Sequence, residues 1–124
     1  MSLTGLDSPV KETIIVVMKP PSRYEIIYAP VVKGHIRAIE KRFHSLIRRT
    51  IEEQLAFEPL VETRNRKPLK RPAWFGATWE IRFGPNNRFR VFYRADPKGR
   101  RVLVLAVGEK RGNRLKIGGE EIEI

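Results

Sequence analysis

The chain has 124 residues, 41% hydrophobic and 9% aromatic, a composition that builds one packed core rather than a disordered segment. Its formal net charge of +11, from 25 Lys/Arg against 14 Asp/Glu, calls for an anionic partner: nucleic acid, an acidic protein or a membrane surface. With no cysteine, disulfides and Cys-based zinc sites are excluded, and a reducing cytoplasm suits the chain.

Met1 to Lys11 is polar, contains Gly and Pro, and reads as a frayed terminus. Thr13 to Met18 (TIIVVM) is β-branched and apolar, which predicts a strand, and Lys19-Pro20-Pro21-Ser22 ends it. That run is too short for the core of a signal segment, and no apolar run approaches the ~18 residues of a membrane span, so no membrane partner and a cytoplasmic location are expected. Tyr24 to Ala29 (YEIIYA) predicts a second strand. The first could form a hairpin with it or add to the edge of a larger sheet.

Pro30 suits the first turn of a helix. From there to Phe57 the apolar residues Val32, Ile36, Ile39, Phe43, Leu46 or Ile47, Ile51 and Leu55 recur every three or four positions, one helical stripe. Arg37, Lys41, Arg48, Arg49, Glu52 and Glu53 form the opposite face. The stretch is one helix, or a helical hairpin bent near His44-Ser45 with Ser45 as a cap. Glu58-Pro59 ends it. His35 and His44 lie here without an acidic ligand cluster, so no metal site is predicted.

Leu60 to Ala77 shows no period and holds Pro68, Pro72 and Gly76, which predicts a loop. Between residues 64 and 71 it carries Arg64, Arg66, Lys67, Lys70 and Arg71 with no acid. This cluster is either a solvated loop or a phosphate- or partner-binding one. Trp74 and Trp79 read as core and rim packing in preference to base-stacking platforms.

Thr78 to Val107 reads as a three-stranded meander. Trp79, Ile81 and Phe83 alternate with Glu80 and Arg82; after the Gly84–Asn87 turn, Phe89, Val91 and Tyr93 alternate with Arg88, Arg90, Phe92 and Arg94. Asp96-Pro97-Lys98-Gly99 is a second turn, and Arg101 to Val107 is apolar on both faces after its first residue. Arg82 and Arg90 come side by side if the first two strands pair around their turn. They form a phosphate site, or a solvated face with an ion pair to Glu80. Phe92 shares that face and is the candidate for stacking on a splayed base, unless the tail covers it. The tail is basic through Lys110, Arg111, Arg114 and Lys116, and acidic over residues 118–124.

The order strand, helical stretch, basic loop and meander resembles the RelE/ParE superfamily of bacterial toxins over residues 24 to 117. The resemblance is carried by Asn65 to Leu69 (NRKPL), Trp79 to Phe83 (WEIRF), Arg88 to Tyr93 (RFRVFY) and Val102 to Arg111 (VLVLAVGEKR). It implies a single domain over residues 1–124 with an α+β fold: a RelE-like helical stretch or hairpin packed on one face of a small, mainly antiparallel, twisted sheet. It also implies the toxin of a type II toxin–antitoxin system, with an acidic RelB-like antitoxin as partner and no cofactor. The target is mRNA on the ribosome, cut by a metal-independent endoribonuclease, or gyrase in the ParE-like branch; a homo-oligomer is compatible with either.

In the RNA-cutting branch the resemblance assigns the scissile phosphate to Arg90, with Arg82 beside it and Lys110 or Arg111 as a further basic group. The chain departs from the pattern where some relatives carry lysine and it has Glu80. It also departs beyond the last strand, where many carry Tyr or His and it reads Asn113-Arg114-Leu115-Lys116-Ile117. Metal-free RNA cleavage needs a base for the 2′ proton, an acid for the leaving oxygen and cations for the transition state. Arg90 and Arg82 suit the last role. Glu80 is a candidate base, although an arginine alongside weakens a carboxylate in that role, and Lys67 or Lys110 is a candidate acid.

Overall fold

Period-two alternation builds the meander, and the computed structural model, which describes residues 23–123, extends it on both sides. The strands are β1 (Glu25–Tyr28), β2 (Arg66–Pro68), β3 (Trp79–Phe83), β4 (Phe89–Asp96), β5 (Arg101–Arg111), β6 (Arg114–Ile117) and β7 (Glu120–Glu121). The helices are α1 (Val32–Arg37) and α2 (His44–Leu55), with a 3-10 turn at Lys41–Phe43 before α2. The expected strand at Thr13–Met18 and the frayed start at Met1–Lys11 lie outside the described residues.

The strands join in the order β2-β3-β4-β5-β6-β7, all antiparallel, and β1 runs parallel to β5. β5 is the longest strand and pairs with β4 along one edge. Its other edge is shared: β1 takes Arg101 to Val104 and β6 takes Gly108 to Arg111. In the gap between them, the backbone N–H of Val107 donates to Nδ1 of His35 on α1 at 3.2 Å. A side chain thus completes the ladder where no strand reaches, because a buried amide needs an acceptor. It also leaves the ring proton on Nε2.

The main core lies between the sheet and the helices. Val32, Ile36, Ile47, Ile51 and Leu55 meet Ile81, Phe89, Val91, Tyr93, Val102, Val104 and Val107 there. The apolar stripe of residues 32–55 and the odd-numbered residues of β3 and β4 therefore face each other, as their periods predict. The helical stretch does break, but earlier than His44-Ser45. Glu40 is extended (φ −49°, ψ 133°), and Nε2 of His44 lies 2.7 Å from the carbonyl oxygen of Ile39. Ser45 caps nothing, since the residue ahead of α2 is Phe43 and makes no side-chain cap.

The region expected to be loop contains β2, and its Arg66 belongs to the fold rather than to a phosphate site. It pairs with Ile81 across the strands, which points it at the helix side, and it is 5% exposed. Its Nη1 donates to the carbonyl of Gln54 at 2.6 Å and its Nε to that of Val61 at 2.7 Å. Gln54 is in the last turn of α2, where unpaired carbonyls and the helix dipole both favour a cation. Nearby, the Tyr93 hydroxyl donates to the carbonyl of Pro59 at 2.5 Å, so burial and one acceptor tie the end of the helical region to β4.

Arg66→Ala should lower the unfolding free energy by about 1.5–3 kcal/mol, the range for lost hydrogen bonds to a charged group. Urea denaturation checks this. Arg64→Ala, exposed on the same loop, should stay within about 0.5 kcal/mol of the parent. Burial lowers the His35 pKa below its ordinary value of 6.5. The folded state therefore prefers the neutral ring. The stability this gives is complete above about 6.5 and is lost as pH falls from there toward the lowered folded value. Between pH 7.5 and 5 the parent should lose more Tm than His35→Gln, whose amide oxygen can accept from Val107 without titrating.

Candidate functional site

The face of the sheet turned away from the helices carries Glu80 and Arg82 on β3 and Arg90 and Phe92 on β4. Arg82 stands directly opposite Arg90, and Glu80 opposite Phe92. Two like charges facing each other across a strand pair repel. Glu80 answers both: its Oε1 accepts from Nε of Arg82 at 2.6 Å and from Nη1 of Arg90 at 3.1 Å. Glu80 and Arg90 are each 9% exposed. Nε of Arg90 also donates to the carbonyl of Asn87 at 3.3 Å. Burial and then the charge of Arg82 push the Arg90 pKa below the ordinary arginine value, against the pull of Glu80.

Arg90 lies between two cavities. The larger, of about 760 Å³, has Glu80, Arg90 and Phe92 as its floor, Lys70, Arg71 and Trp74 on one wall and Lys110, Asn113 and Leu115 on the other. The smaller, of about 360 Å³, runs toward the Pro85–Asn87 turn and again contains Arg90 and Lys110. The walls rest on a second, smaller core of Ala73, Ala77, Phe92, Ala106 and Ile117. Gly108, opposite Arg90 on β5, lets β6 close in: a Cβ there would lie 2.9 Å from the Lys116 carbonyl oxygen.

The other basic candidates divide. Lys67 is exposed and stands opposite Glu80 in the β2–β3 register. Arg64 lines a cleft with Arg82 on the β2 side, away from the Arg90 cavity. Arg94 is four residues from Arg90 on β4, about 13 Å at sheet spacing, and lines a separate recess with Ile27 and Leu103. Arg114 is exposed and pairs with Glu121 at 3.8 Å. Of the two basic residues at the end of β5, Lys110 reaches the Arg90 cavities. Arg111 does not: it alternates to the other face and sits on Glu109 at 3.3 Å.

Two aromatic expectations are reversed. Phe92 is 2% exposed under the loop and β6, in edge contact with Phe75 at 5.8 Å, so it has no face to offer a base. Trp74, read as packing, is 76% exposed on the cavity wall. The available signal was the turn chemistry of Pro72-Ala73-Trp74-Phe75-Gly76. Two adjacent aromatics in a tight turn cannot both point inward, and Phe75 takes the inward place. Among the described residues no group of three or more His, Asp or Glu could hold a metal, and no helix is long and apolar enough to cross a membrane.

No family model matches the sequence, and no curated protein does. Among solved structures, the chain is similar to a chain of the toxin–antitoxin complex RelBE2 from Mycobacterium tuberculosis, with a TM-score of 0.58 at 24% sequence identity. The match covers 71% of this chain and 92% of that one. The likeness is one of fold: helices on one face of a mainly antiparallel sheet, the RelE-like α+β arrangement.

Proposed function

We propose that this chain is the toxin of a type II toxin–antitoxin pair, and that its Arg90 cavity binds and cuts mRNA on the ribosome as a metal-independent endoribonuclease. The observation that carries the reading is Arg90 itself, a nearly buried guanidinium on a cavity floor with Lys70 and Lys110 on the walls. Guanidinium matches phosphate bidentately and stays charged. The RelE-like fold, met in a toxin–antitoxin complex, and the +11 charge support the same reading. An acidic antitoxin supplies the complementary charge in the resting pair.

In such a cleavage the ribose 2′-oxygen bonds to the adjacent phosphorus as the bond from phosphorus to the 5′-oxygen breaks. The products are a 2′,3′-cyclic phosphate and a 5′-hydroxyl. Arg90, with Arg82 beside it, stabilises the extra charge on the phosphorus oxygens. Glu80 accepts the 2′ proton. Its Oε2 makes no hydrogen bond among the described residues and is not buried, and Glu80 is among the residues that line the cavity. Lys110, on the opposite wall, donates the proton to the leaving 5′-oxygen.

Glu80 Oε1 bonds both arginines, and this favours a second reading in which the carboxylate is only their counter-ion. The protein then binds without cutting, as a ParE-like gyrase inhibitor or a nucleic-acid or antitoxin binder.

Expressed alone in a bacterial host, the protein should arrest growth, and Arg90→Ala should relieve the arrest while keeping its circular dichroism. An Arg90→Ala variant as toxic as the parent would remove the phosphate role. Cell-free translation and gyrase supercoiling assays then separate the branches. Glu80→Gln should cut RNA cleavage about 10²- to 10⁴-fold if the carboxylate is the base, with RNA binding kept or tightened. Unchanged toxicity with tighter binding would instead assign it as counter-ion.

A further inference from the structure

We infer that Trp74 is a stacking platform for one base of a single-stranded RNA whose backbone lies on Arg90. The inference rests on the RNA reading proposed above. Leaving an indole 76% exposed forgoes the burial that ordinarily stabilises a fold. Here the backbone that presents it is held firmly. The Gly76 N–H donates to the Ala73 carbonyl at 2.9 Å and the Ala73 N–H to that of Ala77 at 2.9 Å, closing a tight turn with Trp74 at its tip. Gly76 has φ +95°, open to glycine, and Nη1 of Arg94 lies 3.1 Å from where a Cβ would stand. Phe75 anchors the turn through Phe92, and Trp74 meets Phe75 edge-on at 5.2 Å and 86°.

The ligand must fit the rest of the wall. Around this cavity four cations, Lys70, Arg71, Arg90 and Lys110, stand against two carboxylates, Glu80 and Glu123. A nucleotide offers an anionic phosphate and a flat base joined by one ribose, which matches an arginine floor beside an exposed indole. A duplex keeps its bases stacked on each other and presents no free face. The cavity, about 760 Å³ and open, has the size of a site for a small ligand of this kind.

The test is binding of an end-labelled single-stranded RNA oligonucleotide, and of a DNA duplex of the same length, by the full chain across a salt series. Trp74→Ala should weaken RNA binding roughly 5- to 150-fold, the cost of a lost base–aromatic stack, with the salt slope unchanged. Trp74→Phe should restore most of it. Arg90→Ala should flatten the slope by about 0.7, the loss of one phosphate contact to a single strand. Circular dichroism confirms that each variant folds. If Trp74→Ala binds RNA within two-fold of the parent while Arg90→Ala does not, the stacking role is wrong and the phosphate reading stands. If Trp74→Ala keeps RNA binding but loses binding of an acidic polyglutamate peptide, titrated as a third probe, the indole serves a protein partner and the inference is overturned. A parent chain that binds no RNA ends both readings.

Discussion

One extra residue in β5 decides which side chains meet on each side of the sheet. Phe92 stands opposite Ala106, but its neighbour Tyr93 stands opposite Val104, so Leu105 has no partner on β4. A bulge of this kind shifts strand parity by one. Before it, Val102 and Val104 face the helices; after it, Val107 does. Without the bulge, Val107 would stand opposite Arg90 and Lys110 would point toward the helices. With it, Gly108 stands opposite Arg90 and Lys110 lines the same cavities.

The same face must hold two guanidinium groups in cross-strand register. A buried carboxylate between them makes this tolerable, because neither charge is left alone in a poorly solvated place. Glu80 serves both with one oxygen, and its other oxygen makes no hydrogen bond among the described residues. Such an arrangement is stable without a ligand yet suited to an anion, since a phosphate presents further oxygens to the same guanidinium groups. On the opposite face, Arg66 spends its charge on carbonyls at the end of α2. Strand parity puts Arg66 on the helix side and Arg90 on the other face, and that decides whether each supports the fold or the cavity.

Much of this was legible from residue patterns. The meander, its turns, the helical stripe and the pairing of Arg82 with Arg90 follow from period and turn chemistry, because alternation on two adjacent strands fixes which residues share a face. The stretches read as loop and tail were not legible as strands. β2, β6 and β7 are short, and their pairing depends on partners distant in sequence. His35 could not be read as a ladder acceptor, since its role exists only where β1 ends and β6 has not begun. Phe92 and Trp74 exchanged roles because a loop folded over one and left the other outside.

Taken by itself, the sequence determined the α+β class, the strongly basic surface, the two-faced meander and Arg90 as its central cation. The basic charge and the meander rest on local composition and spacing; the α+β class and the choice of Arg90 rest on the resemblance that the short motifs carry. Tertiary structure alone decided that Lys110 rather than Arg111 joins Arg90, that Arg66 caps a helix, and that Trp74 stands in water beside the cavity. Each of those depends on a bulge or on a long-range packing contact, and the strand through the bulge, VLVLAV, is apolar at every position, so no alternation marks where the parity turns.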